Sequence, residues 1–246
     1  GLHEDGSTPG SNNLGGVYVF IGNDNVIGTD GDGINDANEG NVISGNNSVG
    51  VNVQSSGVAP SLRNTIAGNI IGLNPAGNAS IGSQTWGVRL FDALVTETVI
   101  GTDGDNLGDA NERNIISGNT TFGIWASPAT SSIIAGNLIG SDATGNAIIA
   151  SGQAGVVLTA GSTLNRIGSN GDGVSDTLER NVIVGSTAGP GLKDFGVQIS
   201  GNGTTLNVVA GNYIGVGQDG ATPLGNGKGV FIDGGASNNT IGGNSI

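Results

Sequence analysis

The segment IGTDGDGINDANEGNVISGN, starting at Ile27, places Asp30, Asp32, Asp36 and Glu39 within ten residues between two short aliphatic patches. Two further segments repeat the arrangement. IGTDGDNLGDANERNIISGN, from Ile100, carries Asp103, Asp105, Asp109 and Glu112, and IGSNGDGVSDTLERNVIVGS, from Ile167, carries Asn170, Asp172, Asp176 and Glu179. In all three, oxygen-bearing side chains fall at positions 1, 3, 7 and 10. That pattern suits Ca²⁺, which collects six to eight hard oxygens from alternating carboxylates around a glycine that permits the sharp turn. A plainer reading competes: Asp and Gly are ordinary turn formers, and Glu112–Arg113 and Glu179–Arg180 offset charge in solvated loops.

Other chemistries find less support. The only histidine, His3, lies near the chain start with no partner close in sequence, so no Ser/His/Asp set is expected. The available bases are Arg63, Arg89, Arg113, Arg166, Arg180, Lys193 and Lys228. A formal charge of −13 argues against nucleic acid, whose phosphates call for clustered Lys and Arg. No run approaches the 18 apolar residues of a membrane span, so membrane insertion is not expected. Cysteine is absent, so disulfides are not the staples.

The elements that position the acidic loops follow from an internal repeat. GVYVF (Gly16), GVNVQ (Gly50), GVRLF (Gly87), GIWAS (Gly123), GVVLT (Gly155), GVQIS (Gly196) and GVFID (Gly229) recur at spacings of 34, 37, 36, 32, 41 and 33 residues. Each interval holds two more short apolar patches separated by Gly/Asn/Asp/Ser turns, giving about three strands per interval. No stretch shows the 3.6-residue periodicity of an amphipathic helix. Short strands repeated at near-constant length bury their apolar sides by coiling, each pairing in parallel with its equivalent one turn later. The expectation is an all-β, right-handed parallel β-helix (a solenoid) of about seven turns with three short strands each. The second and fourth residues of each GVxV phrase should stack inward, from Val17 and Val19 to Val230 and Ile232. Asn41, Asn114 and Asn181 should form one structural column and Asn69, Asn137 and Asn212 another.

The NxIxGNxIG and GVxI phrases resemble the pectate-lyase-like right-handed β-helices, and more closely the β-helix repeats of large bacterial surface and secreted proteins. They cover nearly the whole chain from about Gly15. The fold implied is specific, whereas the function is not, because such helices serve lyases, hydrolases, epimerases, tailspikes and adhesins. The GHG and RIK phrases of polygalacturonase-like hydrolases are missing. DGDGINDANE resembles the Asp-rich calcium loops of thrombospondin type 3 and dockerin-like repeats. It departs from them in lacking an upstream Asp, with Gly28, Gly101 and Gly168 near that place. The second loop also has Asn106 for a glycine, and the third opens with Asn170. The resemblance implies Ca²⁺ as the cofactor.

Alternation turns the third and fifth residues of each GVxVx phrase outward. Tyr18, Phe20, Asn52, Arg89, Phe91, Trp125, Gln198 and Phe231 should then line a ligand-binding strip suited to sugar rings. Five of the nine aromatic residues fall on it. A covering loop or a neighbouring surface protein would use the strip equally well. Trp86, Phe122 and Phe195, just before the repeat glycine, should instead pack inward or in turns. Residues 1–14 read as a tail or partial cap and 15–246 as the β-helix domain, a segment of a larger protein with neighbouring domains. The function expected is an extracellular or cell-surface bacterial module, calcium-stabilised, with a structural or adhesive role. A polysaccharide lyase or glycoside hydrolase acting on acidic polysaccharide, and a repeat unit of a self-assembling filament or sheath, stay open as alternatives.

Overall fold

Each GVxVx phrase becomes a six-residue strand, and the strands assemble in sequence order. The computed structural model describes residues 1–6, 8–185 and 194–242. Lys193, Ser186 at the end of the third acidic phrase and the last residues of the NNTIGGNSI segment lie outside the described residues.

The first sheet contains Gly15–Phe20, Val49–Gln54, Trp86–Phe91, Phe122–Ser127, Ala154–Thr159, Phe195–Ser200 and Lys228–Asp233, all parallel. A second parallel sheet of seven runs from Val26–Gly28 through Val99–Gly101 and Arg166–Gly168 to Thr240–Ile241. A third, of six two-residue strands, runs from Val42–Ile43 to Tyr213–Ile214. The chain visits first, second and third sheet in rotation, so every strand pairs with its counterpart in the next sequence repeat. Among the described residues the one helical element is the short 3-10 segment Asp36–Asn38. The protein is thus all-β and built on parallel sheets.

Register places like against like. Val17, Val51, Val88, Ile124, Val156, Val197 and Val230 are successive partners in the first sheet. Ile27, Ile66, Ile100, Ile134, Ile167 and Val209 do the same in the second. Side chains from all three sheets meet in one core cluster. Removing a Val or Ile side chain from water contributes roughly 1.5–3 kcal/mol, so stacked aliphatic columns supply the main driving force.

The asparagines correct one expectation. Instead of two columns they form a single ladder at the crossing from second to third sheet. Asn41, Asn69, Asn114, Asn137 and Asn181 each donate from Nδ2 to the next Oδ1 at 2.8–3.1 Å, the last to Asn212. Asn69, Asn114, Asn137, Asn181 and Asn212 also donate to a backbone carbonyl of the preceding repeat, as Asn137 does to Ile100 O at 2.8 Å. Spacing in sequence differs between odd and even repeats because of the inserted loops, and this concealed that the two columns are one. Buried amides must be paired, and a column of identical amides one strand apart pairs itself.

A second correction concerns the repeat glycine. A Cβ on Gly87 would lie 2.5 Å from Ile116 Cγ2 and 2.5 Å from Gly123 O, so this position faces the interior. Val88 beside it is also interior, and simple alternation fails there. Trp86 is accordingly turned outward, where it stacks on Trp125 with ring centroids 5.4 Å apart. Phe122 and Phe195 follow it, packing against Trp125 and Phe231. The residues before the glycine therefore extend the outer strip.

The first residues lie against the start of this array. Leu2 and Pro9 form an antiparallel bridge, and the terminal amine and Asn12 both donate to Asn46 Oδ1, at 2.6 and 3.0 Å.

Candidate metal centres and the outer aromatic face

The acidic loops occupy the crossing from second to third sheet in alternate repeats. In the repeats between them the same crossing takes two residues, Gly68–Asn69, Gly136–Asn137 and Gly211–Asn212. Each loop therefore has about two strand spacings of height, ~10 Å, and the loops can stack without colliding.

A shared set of side-chain-to-backbone bonds folds each loop. At position 3 the N–H donates to the side chain at position 1, as in Asp32 to Asp30 (3.3 Å), Asp105 to Asp103 (3.1 Å) and Asp172 to Asn170 (2.9 Å). The N–H at position 5 donates to the carboxylate at position 3, at 2.7–2.8 Å in all three. The carboxylate at position 7 accepts the N–H of position 4. The glutamate at position 10 accepts the N–H of position 1 through Oε2. One oxygen of most acids is used in this way, and Asp109 uses its second as well, accepting from the Thr102 hydroxyl at 2.9 Å.

Convergence differs from loop to loop. Asp30, Asp36 and Glu39 bring carboxylate oxygens within 4.8 Å of one another, as do Asp103, Asp105 and Asp109. Both groups could hold a metal ion. Asp32 does not join the first group and Glu112 does not join the second. Among the described residues no third group of three carboxylates forms. Asn170 instead donates to Asp172 Oδ2 at 3.0 Å, and Asp176 accepts from the Ser169 hydroxyl and the N–H groups of Gly171 and Gly173. The Ser169 bond, with the two amides behind it, holds the Asp176 carboxyl below its ordinary value.

Two buried carboxylates stand out. Asp36 is 3% exposed, and its Oδ1 has no hydrogen-bond partner although Oδ2 accepts from Gly33. Glu112 is 4% exposed. Burial, reinforced by Asp103 and Asp109, pushes its carboxyl up to about 7 against the hydrogen bond from Thr102. Burial likewise raises Asp103. Glu179, fully buried, has the same position in its loop as Glu112 but is met by Arg166 Nη1 at 2.9 Å. The counterpart of Arg166 in register is Val99. Sequence inspection missed this difference; its signal was the lone arginine in the series NVIG, TVIG, NRIG.

The loops also touch each other. A Cβ on Gly31 would lie 2.1 Å from Glu112 Oε1, and one on Gly104 would lie 2.6 Å from Glu179 Oε1. Each glutamate thus reaches from its own loop onto the loop before it. Asp36 Oδ2 abuts Gly108 of the second loop in the same manner, and the Ser175 hydroxyl of the third loop donates to Asp109 of the second.

On the outer face of the first sheet, Tyr18, Asn52, Arg89, Trp125, Val157, Gln198 and Phe231 are successive partners. Their environments diverge. Tyr18 and Phe20 are 50% and 55% exposed, whereas Asn52 is fully buried and Gln198 nearly so. Arg89 donates to Asn52 Oδ1 at 2.6 Å and to Tyr18 Oη at 3.3 Å, and its guanidinium lies 4.7 Å from the Phe91 centroid. Phe91 and Phe122 flank Trp125 at 6.1 and 6.2 Å. Farther along, Phe195 stacks on Phe231 at 4.7 Å and Lys228 lies over both rings. The open end of the strip is the Tyr18–Phe20–Arg89–Phe91 end.

The described basic side chains are all engaged. Arg63 pairs with Asp24, Arg113 donates to Gly136 O and Gln218, and Arg180 donates to Gly211 O while lying 4.1 Å from the Tyr213 centroid. His3 is exposed. Of the acids near the outer strands, Asp233 accepts from Gln198 Nε2 at 3.3 Å.

No protein-family model, curated protein or solved structure matches this chain.

Proposed function

We propose that this chain is a right-handed parallel β-helix, about seven turns of three strands, serving as a calcium-stabilised structural or adhesive module of a bacterial surface or secreted protein. The cyclic visit to three parallel sheets supports the architecture. Calcium rests chiefly on Asp36, a buried carboxylate with one unpartnered oxygen in a cluster with Asp30 and Glu39. Stranding such an oxygen without a proton or cation costs on the order of 1–3 kcal/mol, and a hard divalent ion at the cluster would remove that cost. The pattern of acids along the loops, similar to thrombospondin type 3 and dockerin-like repeats, favours Ca²⁺ over Mg²⁺, which keeps more of its water. Neighbouring domains of a larger chain fit a module of this type.

Thermal unfolding with chelator and with calcium tests the proposal. Calcium at one hundred times its dissociation constant stabilises by about 2.7 kcal/mol per site, a displacement of several degrees. An unfolding temperature indifferent to both EDTA and Ca²⁺ would rule calcium out.

The exposed rings of Tyr18 and Phe20 beside Arg89 favour a second reading, contact with a glycan at that end of the strip. Aromatic faces stack on sugar rings, and the guanidinium takes hydroxyl or carboxylate groups. A glycan array checks it, with Y18A and R89A expected to lose the signal. Turnover of an acidic polysaccharide, read as unsaturated or reducing-end product, would replace the module by a lyase or hydrolase. Concentration-dependent light scattering at millimolar calcium would favour a filament or sheath unit.

A further inference from the structure

The junctions between the stacked loops differ in one charge. Between the second and third loops, Glu179 Oε1 lies against Gly104, and the Arg166 guanidinium meets it at 2.9 Å. Between the first and second loops, Glu112 Oε1 lies against Gly31 in the same pose, but the residue in Arg166's register is Val99. The same junction contains Asp36, whose Oδ2 abuts Gly108 and whose buried Oδ1 has no hydrogen-bond partner. Among the described residues, no lysine or arginine forms an ion pair with Glu112 or Asp36; the two ion pairs present are Arg63–Asp24 and Arg166–Glu179. Two buried carboxylates are thus gathered at one junction without a counter-charge, while its twin is neutralised by an arginine. Buried carboxylates are paired or bind metals, because isolated charge away from water is expensive.

We infer that a divalent cation bridges the first two acidic loops through Asp36 and Glu112, in the place that the Arg166 guanidinium takes between the second and third. The inference rests on the calcium proposal above and sharpens it: the three loops are not equivalent sites, and the third is satisfied by the protein's own cation. The bridging ion would tie residues 30–39 to residues 103–112 across an intervening repeat, clamping the stack at its more acidic end.

Calorimetric titration of the full chain with calcium alone decides the matter. Val99→Arg brings a guanidinium beside Glu112, and Glu112→Gln removes the carboxylate charge. Each should lower the number of calcium ions bound per chain by one relative to the unmodified protein. Glu179→Gln, which leaves the first junction unaltered, should not. Should Val99→Arg fold poorly, the Glu112→Gln and Glu179→Gln pair still carries the comparison. Unchanged stoichiometry in Val99→Arg and Glu112→Gln would overturn the bridging ion while leaving calcium binding elsewhere intact. Absence of any calcium binding by the unmodified protein would overturn the calcium proposal and the bridge together.

Discussion

Glu112 and Glu179 occupy the same position in their loops, yet neutralising them should act in opposite directions when calcium is removed. Glu112 is almost fully buried and its carboxyl is pushed up to about 7 from its ordinary 4.5. The folded protein thus holds this proton more tightly than the unfolded chain. Stability from Glu112 is complete below pH ~4.5 and is lost as the pH rises through about 7. At 1.36 kcal/mol per pH unit, the carboxylate costs about 1–3 kcal/mol at pH 8, the upper figure applying without relaxation. Glu112→Gln keeps an acceptor oxygen for Asp103 N–H and removes the charge. In EDTA at pH 8 it should raise the unfolding free energy by that amount, and at pH 4.5 it should change little. Glu179→Gln should instead lower stability by roughly 3 kcal/mol, because it strands the Arg166 guanidinium. Urea unfolding followed by circular dichroism, with each variant at both pH values in chelator, measures both effects. Equal destabilisation by both substitutions at pH 8 would refute the claim that one glutamate is compensated and the other is not.

Other expectations test the framework. Asn137→Ala removes donors to Ile100 O, Ala135 O and Asn181, and should cost about 2–4 kcal/mol in urea unfolding, since each stranded buried group costs about 1–3; the exposed Asn47→Ala should cost under ~0.5. Gly87→Ala drives a methyl to 2.5 Å from Gly123 O and Ile116, so a loss of roughly 2 kcal/mol or more is expected from overpacking, read as a lower unfolding midpoint. Trp125→Ala forfeits ring contacts with Trp86, Phe91 and Phe122 and should destabilise by about 3–5 kcal/mol, with a changed near-ultraviolet dichroism; the half-exposed Tyr18→Ala should be nearly neutral in the same assay.

The sequence alone determined a good deal. Seven GVxVx phrases at near-constant spacing announce parallel pairing of equivalent strands, and the apolar residues at Val17 and Val19 and their counterparts occur where alternation puts them, except that Ile232, on the last strand of its sheet, is exposed. Period-two patterning is a property of the strand itself, so it can be read without neighbours. The acidic loops were legible as loops, and the residues of two candidate metal groups lie among those singled out by residue type and spacing.

Tertiary structure decided what depends on the register between repeats. Asparagines 28 residues apart and 45 residues apart turn out to be consecutive members of one ladder, because inserted loops change the count along the chain without changing the height of a strand. Gly87 faces the core beside Val88, which sends Trp86 to the outer face against the simple alternation. Neither position in its loop nor residue type separates Glu112 from Glu179. What separates them is the first residue of the strand just before the loop, Val99 or Arg166, onto which the loop folds its glutamate back. A buried charge is governed by whatever lies within a few ångströms of it, and those neighbours come from loops and strands that only the folded chain brings together.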